Sequence, residues 1–410
     1  MEREWIREVL DRTDTVRFSG SAEEKAAAEY LKSLCEKRGV PAVLESFDVE
    51  TAEIHSACLS ADGREIPCRG YMLCGSGSVE APLCYLPNTD PASIALAGGK
   101  IVLLDTGITF WVYQDLLDAG AVGFITYDGD LLWQDRDIDQ KTLRPYVSKG
   151  RKVPCVAINA KDAFGLVKSA PKTVSIRVEQ TESVASSQNV IAEIPGRTDE
   201  WIVLTAHYDS TALSRGAYDN MSGCIGLLGV LEDLKEKAPL RYSLRFIFCG
   251  SEEVGLLGSK AYTSVHEKEL EKVALNINVD MIGTYMGRFI SCVSAEEKLI
   301  HYLQYLCALR GWGIHAYQDV YSSDSTPFAD HGVPALSFAR IATKSQATIH
   351  TRYDTKALLS QDQLCADLRF LSDFTLSMAD AARCPVSREI PEKVKNRLDE
   401  YLLRKRKKED

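Results

Sequence analysis

From residue 186 onward the chain alternates short apolar runs with amphipathic ones. NVIAEIPG, WIVLTAHYDS, SLRFIFCGSEE and VALNINVDMIG read as strands, while MSGCIGLLGVLEDLKEK and SKAYTSVHEKELEKV read as helices between them. Strand–helix alternation of this kind implies a largely parallel sheet covered on both faces. The expected fold class is therefore α/β, with a mixed, mostly parallel sheet flanked by helices. The last helices are expected at 361–383 and 387–406. Residues 1–38 also read as helical. Ser21 is a plausible N-cap, and Glu24 three positions later completes a capping-box pattern. Ala27, Tyr30, Leu31 and Leu34 would form the buried stripe of that helix, which Gly39 and Pro41 stop. VLESFDVE at 43–50 then reads as a strand.

Between 55 and 185 the texture changes to short strands separated by Gly, Pro, Asn and Asp turns. GKIVLLD, FWVYQDLLDAG and AVGFITYD make a strand–helix–strand unit, followed by KVPCVAINA, KDAFGLVKSA and TVSIRVEQ. This predicts a small β-rich α/β domain, residues 55–185, inserted between the two pieces (1–54 and 186–410) of the main one. Lys and Arg number 48 against 58 Asp and Glu, a formal charge of −10. That balance excludes sequence-independent nucleic-acid binding, which needs a cationic surface. The amino terminus lacks the apolar core of a signal peptide. The longest apolar stretches, such as CIGLLGVL at 224–231, fall far short of the ~20 residues of a membrane span. A cytoplasmic location without membrane attachment is expected. The 12 cysteines contain no C-x-x-C pair, so they read as reduced and mostly buried residues. Cys58, Cys68, Cys74 and Cys84 cluster loosely, at strand-like spacing.

Ligands of a parallel α/β sheet bind beyond the carboxyl ends of its strands. Here those ends carry His207 and Asp209, then Glu252 and Glu253, then Asp280, with Asp219 and Asn220 at the start of a helix and His350 after the strand PALSFA. One such His is more often structural, and one acidic pair is more often a solvated turn. The convergence of all of them on one rim suggests a metal site. Nitrogen and oxygen donors without thiolate suit zinc, with cobalt or manganese as substitutes. Five ligands suit two ions joined by a bridging carboxylate, ~3.5–4 Å apart and able to hold a hydroxide between them. A spare carboxylate would serve as general base.

The segments VLTAHYDS, GAYDNMSG, SLRFIFCGSEEVGLLGSKAY, NVDMIG and IHTRYDT resemble the co-catalytic di-zinc exopeptidase family of aminopeptidases and glutamate carboxypeptidases, in order and in spacing. The similarity covers about 186–380 and the helix at 21–38. It implies that His207 and Asp280 ligate one zinc, that Glu253 and His350 ligate the other, and that Asp219 bridges them. It implies Glu252 as general base and Asp209 as the acceptor that orients His207, with a cis peptide after Asp219. GKIVLLD, DAGAVGFITYD and VPCVAIN make the insert resemble a protease-associated domain, a lid-like module without chemistry of its own.

Two departures stand out. Ser325 replaces the family's His in YSSDSTPF. Ile349 stands where several relatives carry an oxyanion-stabilising Tyr, leaving Tyr285 and Tyr321 as candidates for that role. The function expected is a zinc aminopeptidase that removes the amino-terminal residue of peptides through a hydroxide bridging two metal ions. A carboxypeptidase on the same site would need an Arg clamp, for which Arg340 and Arg352 are the nearest candidates. A glutaminyl cyclase and an inactive binding or scaffold relative are the other rivals, the latter weakened because all five ligand positions and the base are present. No P-loop, Rossmann or G-x-S-x-G motif supports a nucleotide enzyme or a serine hydrolase. The oligomeric state is open, a homo-oligomer included.

Overall fold

The computed structural model describes residues 4–105, 107–129, 131, 138, 140–343 and 349–407. The chain divides into two compact units, residues 1–49 with 186–410, and residues 50–185. Two long strands, Ala42–Ala61 and Val174–Ile194, run through the boundaries. The first boundary therefore falls within a strand, at 49/50 rather than 54/55.

The larger unit is built on a mixed sheet. Its strand order is His315–Gln318, Arg288–Ser294, Ala335–Ile341, Val273–Val279, Trp201–His207, Ser243–Cys249, Val174–Ile194, Ala42–Ala61. The four central strands, from Ala335–Ile341 to Ser243–Cys249, are all parallel. Arg288–Ser294 and Val174–Ile194 flank them antiparallel. Ser243–Cys249 is buried at every position, as expected of a strand covered on both faces. The helices Ala22–Lys37, Ser222–Lys235 and Gln361–Ala379 contribute to the large core over this sheet. Ser222–Lys235 packs so closely on Gln361–Ala379 that a Cβ at Gly229 would fall 2.0 Å from Leu368 Cδ1.

Several expected helices are shorter in the structure. The amino-terminal one splits into Glu4–Arg12 and Ala22–Lys37, because Ser21 starts a new helix by accepting the Glu24 N–H at 3.1 Å. The run from 259 ends at Val265. There the His266 ring stacks on Tyr262 at 4.5 Å between centroids, and its Nε2 meets Glu45 at 2.7 Å. The last helix is Glu392–Tyr401, entered at Pro391.

The smaller unit has its own five-stranded sheet, in the order Cys68–Gly70, Cys155–Asn159, Gly123–Asp128, Ile101–Leu104, Leu83–Leu86. The last four are parallel; helix Phe110–Asp118 connects two of them in sequence and Ala160–Ser169 follows Cys155–Asn159. Its apolar core is separate. All 12 cysteines are free, and most are buried. No helix among the described residues is long and apolar enough to cross a membrane.

Candidate metal centre

Because the four central strands are parallel, their carboxyl ends share one edge of the sheet. His207 is the last residue of its strand, Asp280 follows Val279 directly, and the Glu252–Glu253 pair follows Cys249 by a short turn. Asp219 lies in the distorted turn before Ser222–Lys235, and the Asp219–Asn220 peptide is cis. Asn220 staples that turn to the end of the strand Val273–Val279. Its Oδ1 accepts from Gly223 N–H and Met281 N–H, and its Nδ2 donates to Val279 O, each at 2.9 Å. The approach requires glycine at 223, where a Cβ would sit 2.4 Å from Val279 O.

The result is two donor groups that share one residue. His207, Asp219 and Asp280 offer donor atoms within 4.8 Å of one another, and Asp219, Glu253 and His350 do the same. The two oxygens of Asp219 face opposite ways. Its Oδ1 lies 3.2 Å from His207 Nε2, and its Oδ2 lies 3.1 Å from His350 Nε2. Asp280 Oδ1 is 3.6 Å from His207 Nε2, and Glu253 Oε2 is 3.1 Å from His350 Nε2. Glu252 stands outside both groups, with Oε2 3.9 Å from His207 Nε2.

The electrostatics are those of a cation site. Burial lowers the His207 imidazole, yet Glu252, Asp209, Asp219 and Asp280 together raise it well above its usual value. His350 is raised in the same way by Glu253 and Asp219 against burial. Burial pushes the Asp219 carboxyl up, but hydrogen bonds from both histidines pull it below the ordinary range. Asp280 Oδ1 is buried without a hydrogen-bond partner, an arrangement that costs ~1–3 kcal/mol unless another partner is bound. Two imidazoles and three carboxylates, one of them the shared Asp219, fit two zinc ions. Burial raises Glu252 well above the carboxylate range, with His207 opposing and the charges of Glu253, Asp324 and Asp280 adding. A carboxylate raised in this way is a stronger base near neutral pH.

Asp209 does more than the sequence suggests. Its Oδ1 lies 3.3 Å from His207 Nδ1, and it also accepts the N–H of Glu252 at 3.0 Å and, through Oδ2, of Glu253 at 3.1 Å. Sequence reasoning missed its counterpart, Asp354. That buried carboxylate accepts the N–H of Tyr218 at 2.8 Å and of Asp219 at 3.0 Å. Burial and the Asp219 charge push it up to about 7. The only signal for it in the sequence is its place four residues after His350 in IHTRYDT.

Other candidates separate clearly. Arg340 is held by Asp367, with Nε 2.9 Å from Oδ2, and donates to Gly287 O at 3.1 Å. Its guanidinium lies 4.9 Å from the Phe289 ring centroid, so it is a structural arginine rather than a substrate clamp. Arg352 is exposed beside Tyr353. Tyr285 is 70% exposed, whereas the half-buried Tyr321 is raised by burial and by the nearby charges of Asp280 and Asp219. Ser325 hydrogen-bonds Ser337 at 2.8 Å. His55 and His331 take local partners, Thr181 and Pro327 O.

Residues 189–371 match the sequence model of a known family, described as peptidase family M28. Aminopeptidase YwaD of Bacillus subtilis (strain 168) is 28% identical over 347 residues, which span 78% of this chain and 71% of that protein. Leucine aminopeptidase 2 of Trichophyton rubrum is 30% identical over 285 residues, 65% of this chain and 55% of that protein. The chain thus spans little more than half the length of that relative. Among solved structures, BSAP, a zinc aminopeptidase from Bacillus subtilis, matches with a TM-score of 0.76 at 24% identity, covering 94% of this chain and 98% of that one. That likeness is one of fold.

Proposed function

We propose, on the premise that residues 189–371 form a peptidase family M28 domain, that this chain is a zinc-dependent aminopeptidase acting on the amino-terminal residue of peptides. The observation that carries the reading is the pair of donor groups sharing Asp219, with Glu252 beside both and part of neither. His207 and Asp280 would hold one zinc, Glu253 and His350 the other, and Asp219 both. When bound, two such ions activate water at neutral pH and polarise the peptide carbonyl.

The residues of the chain do the rest. Glu252 takes a proton from the attacking water and returns it to the leaving amine, a transfer worth typically ~10²–10⁴-fold. Its raised pKa suits both halves of that exchange. Asp209 orients the His207 ring and anchors the backbone of Glu252 and Glu253. The surplus of carboxylates favours a substrate that brings a free amine to the centre rather than a second carboxylate. With Arg340 engaged by Asp367, Arg352 is the remaining candidate clamp of a carboxypeptidase. We read the 50–185 unit as a protease-associated module that adds no catalytic group.

The test is to incubate zinc-loaded protein with a mixture of short unblocked peptides and to read the products by mass spectrometry. Loss of amino-terminal residues, abolished by a chelator, is the expected outcome. Cleavage from the carboxyl end, or intact peptides, would overturn the reading.

A further inference from the structure

Glu24 lies in the first turn of Ala22–Lys37, outside the matched segment. As a capping-box residue it should reach back to its own helix and stay near solvent. Instead it is fully buried. Its Oε2 accepts from Gly20 N–H at 2.7 Å. Its Oε1 turns inward and accepts three hydrogen bonds, from Ser187 Oγ at 2.8 Å, Ser251 N–H at 3.0 Å and Ser251 Oγ at 3.0 Å. Ser19 Oγ adds a contact to Ser251 Oγ at 2.6 Å.

Ser251 immediately precedes Glu252 and Glu253. It has φ 55°, in the left-handed region that a residue with a Cβ occupies only when its surroundings hold it there. In this loop four successive backbone N–H groups end on side-chain oxygens. Gly250 donates to Asn189 at 3.3 Å, Ser251 to Glu24, and Glu252 and Glu253 to Asp209. No strand ladder holds these amides, so the loop is shaped by the side chains beneath it, three of the four bonds ending on carboxylates. Burying an acid costs several kcal/mol unless it is fully hydrogen-bonded, and two of the four hydrogen bonds that Glu24 accepts come from Ser251 of the loop.

We propose that Glu24 is a positioning residue for the metal centre, holding the Ser251–Glu253 backbone so that Glu252 faces the reacting water and Glu253 faces His350. The assignment rests on the reading of Glu252 as general base. It makes the helix Ala22–Lys37, far away in sequence, a working part of the site.

The test is Glu24→Gln in the zinc-loaded 410-residue chain, which keeps the side chain's size but offers the Ser251 donors a neutral amide. Hydrogen–deuterium exchange is read by mass spectrometry for the peptide spanning 249–256 and, as a control, for 217–223, which Asp354 holds. Exchange in 249–256 should rise at least about tenfold while 217–223 stays unchanged. Outer partners of metal ligands typically account for ~10–100-fold in activity, so kcat should fall by that factor with KM and zinc content close to wild type. Unchanged exchange in 249–256, a uniform rise across the unit, or retained kcat would overturn the proposal. Ser251→Ala, which removes one donor to Glu24, should produce the same pattern with smaller size and serves if Glu24→Gln does not fold. Wild-type protein without aminopeptidase activity would sink the functional reading alone, because the exchange experiment still judges Glu24.

Discussion

The two units of this chain share an architecture and differ in what they do with it. Both have four parallel strands whose carboxyl ends carry polar residues. In the 50–185 unit those residues are used up locally. Asn88 binds Ser93, Asp128 pairs with Lys141 at 3.0 Å, and Asn159 caps the helix Ala160–Ser169 by accepting Lys161 N–H at 2.9 Å. In the larger unit the corresponding ends carry His207, Glu252, Glu253 and Asp280, none of them satisfied by its own turn. Their partners are one another, and beneath them lie Asp209, Asp354 and Glu24, which hold the backbone instead. A parallel sheet offers a place for a site. Whether chemistry occurs there depends on a second layer of buried acids that frees the strand-end side chains from structural duty.

Metal removal should divide the units most sharply. A chelator should bring peptidase turnover below detection, and added zinc should restore it, with cobalt or manganese as weaker substitutes. Zinc at ~100 times its Kd stabilises a folded state by about 2.7 kcal/mol per site. Calorimetry should therefore show the unfolding of the 1–49 and 186–410 unit moving with zinc while that of 50–185 stays still. A common shift of both would break the comparison.

Next in size is Glu252→Gln. Loss of a general base should lower kcat by ~10²–10⁴-fold with two zinc ions still bound by elemental analysis. Activity within a few-fold of wild type would remove Glu252 from the mechanism. Asp354→Asn tests the supporting layer, because an amide presents only one acceptor to the N–H groups of Tyr218 and Asp219. A fall of ~10–100-fold in activity or zinc affinity is expected, and an unchanged zinc titration together with unchanged kcat would make Asp354 a bystander. The smallest effect belongs to the other unit. Asn159→Ala should cost about 1 kcal/mol of stability as a lost helix cap, read by denaturant titration, and leave kcat alone.

Most of the candidate ligands and the candidate base were readable because they stand at or just after a strand end or at a helix start, where local pattern marks the position, whereas His350 lies in a turn nine residues beyond its strand. Glu24 was readable only as a cap. Its inward oxygen and its grip on Ser251 join residues 227 positions apart, and no local pattern carries such a contact. Asp354 was missed for the same reason, since its partners Tyr218 and Asp219 come from another element. Arg340 stayed a candidate clamp for the carboxypeptidase alternative because a sequence does not reveal that Asp367 already holds it.

By itself, then, the sequence determined the alternation of strands and helices, the existence of two units, and the residues from which a metal centre could be made. Those depend on periods of 2 and 3.6 residues and on turn chemistry, which are properties of neighbouring positions. The tertiary structure decided which charges meet. It turned the two oxygens of Asp219 toward different histidines, set Asp209, Asp354 and Glu24 under the ligand loops, and closed Arg340 to substrate. Such pairings depend on strand register and helix packing across long stretches of chain, where a fraction of an ångström separates a held ligand from a solvated acid.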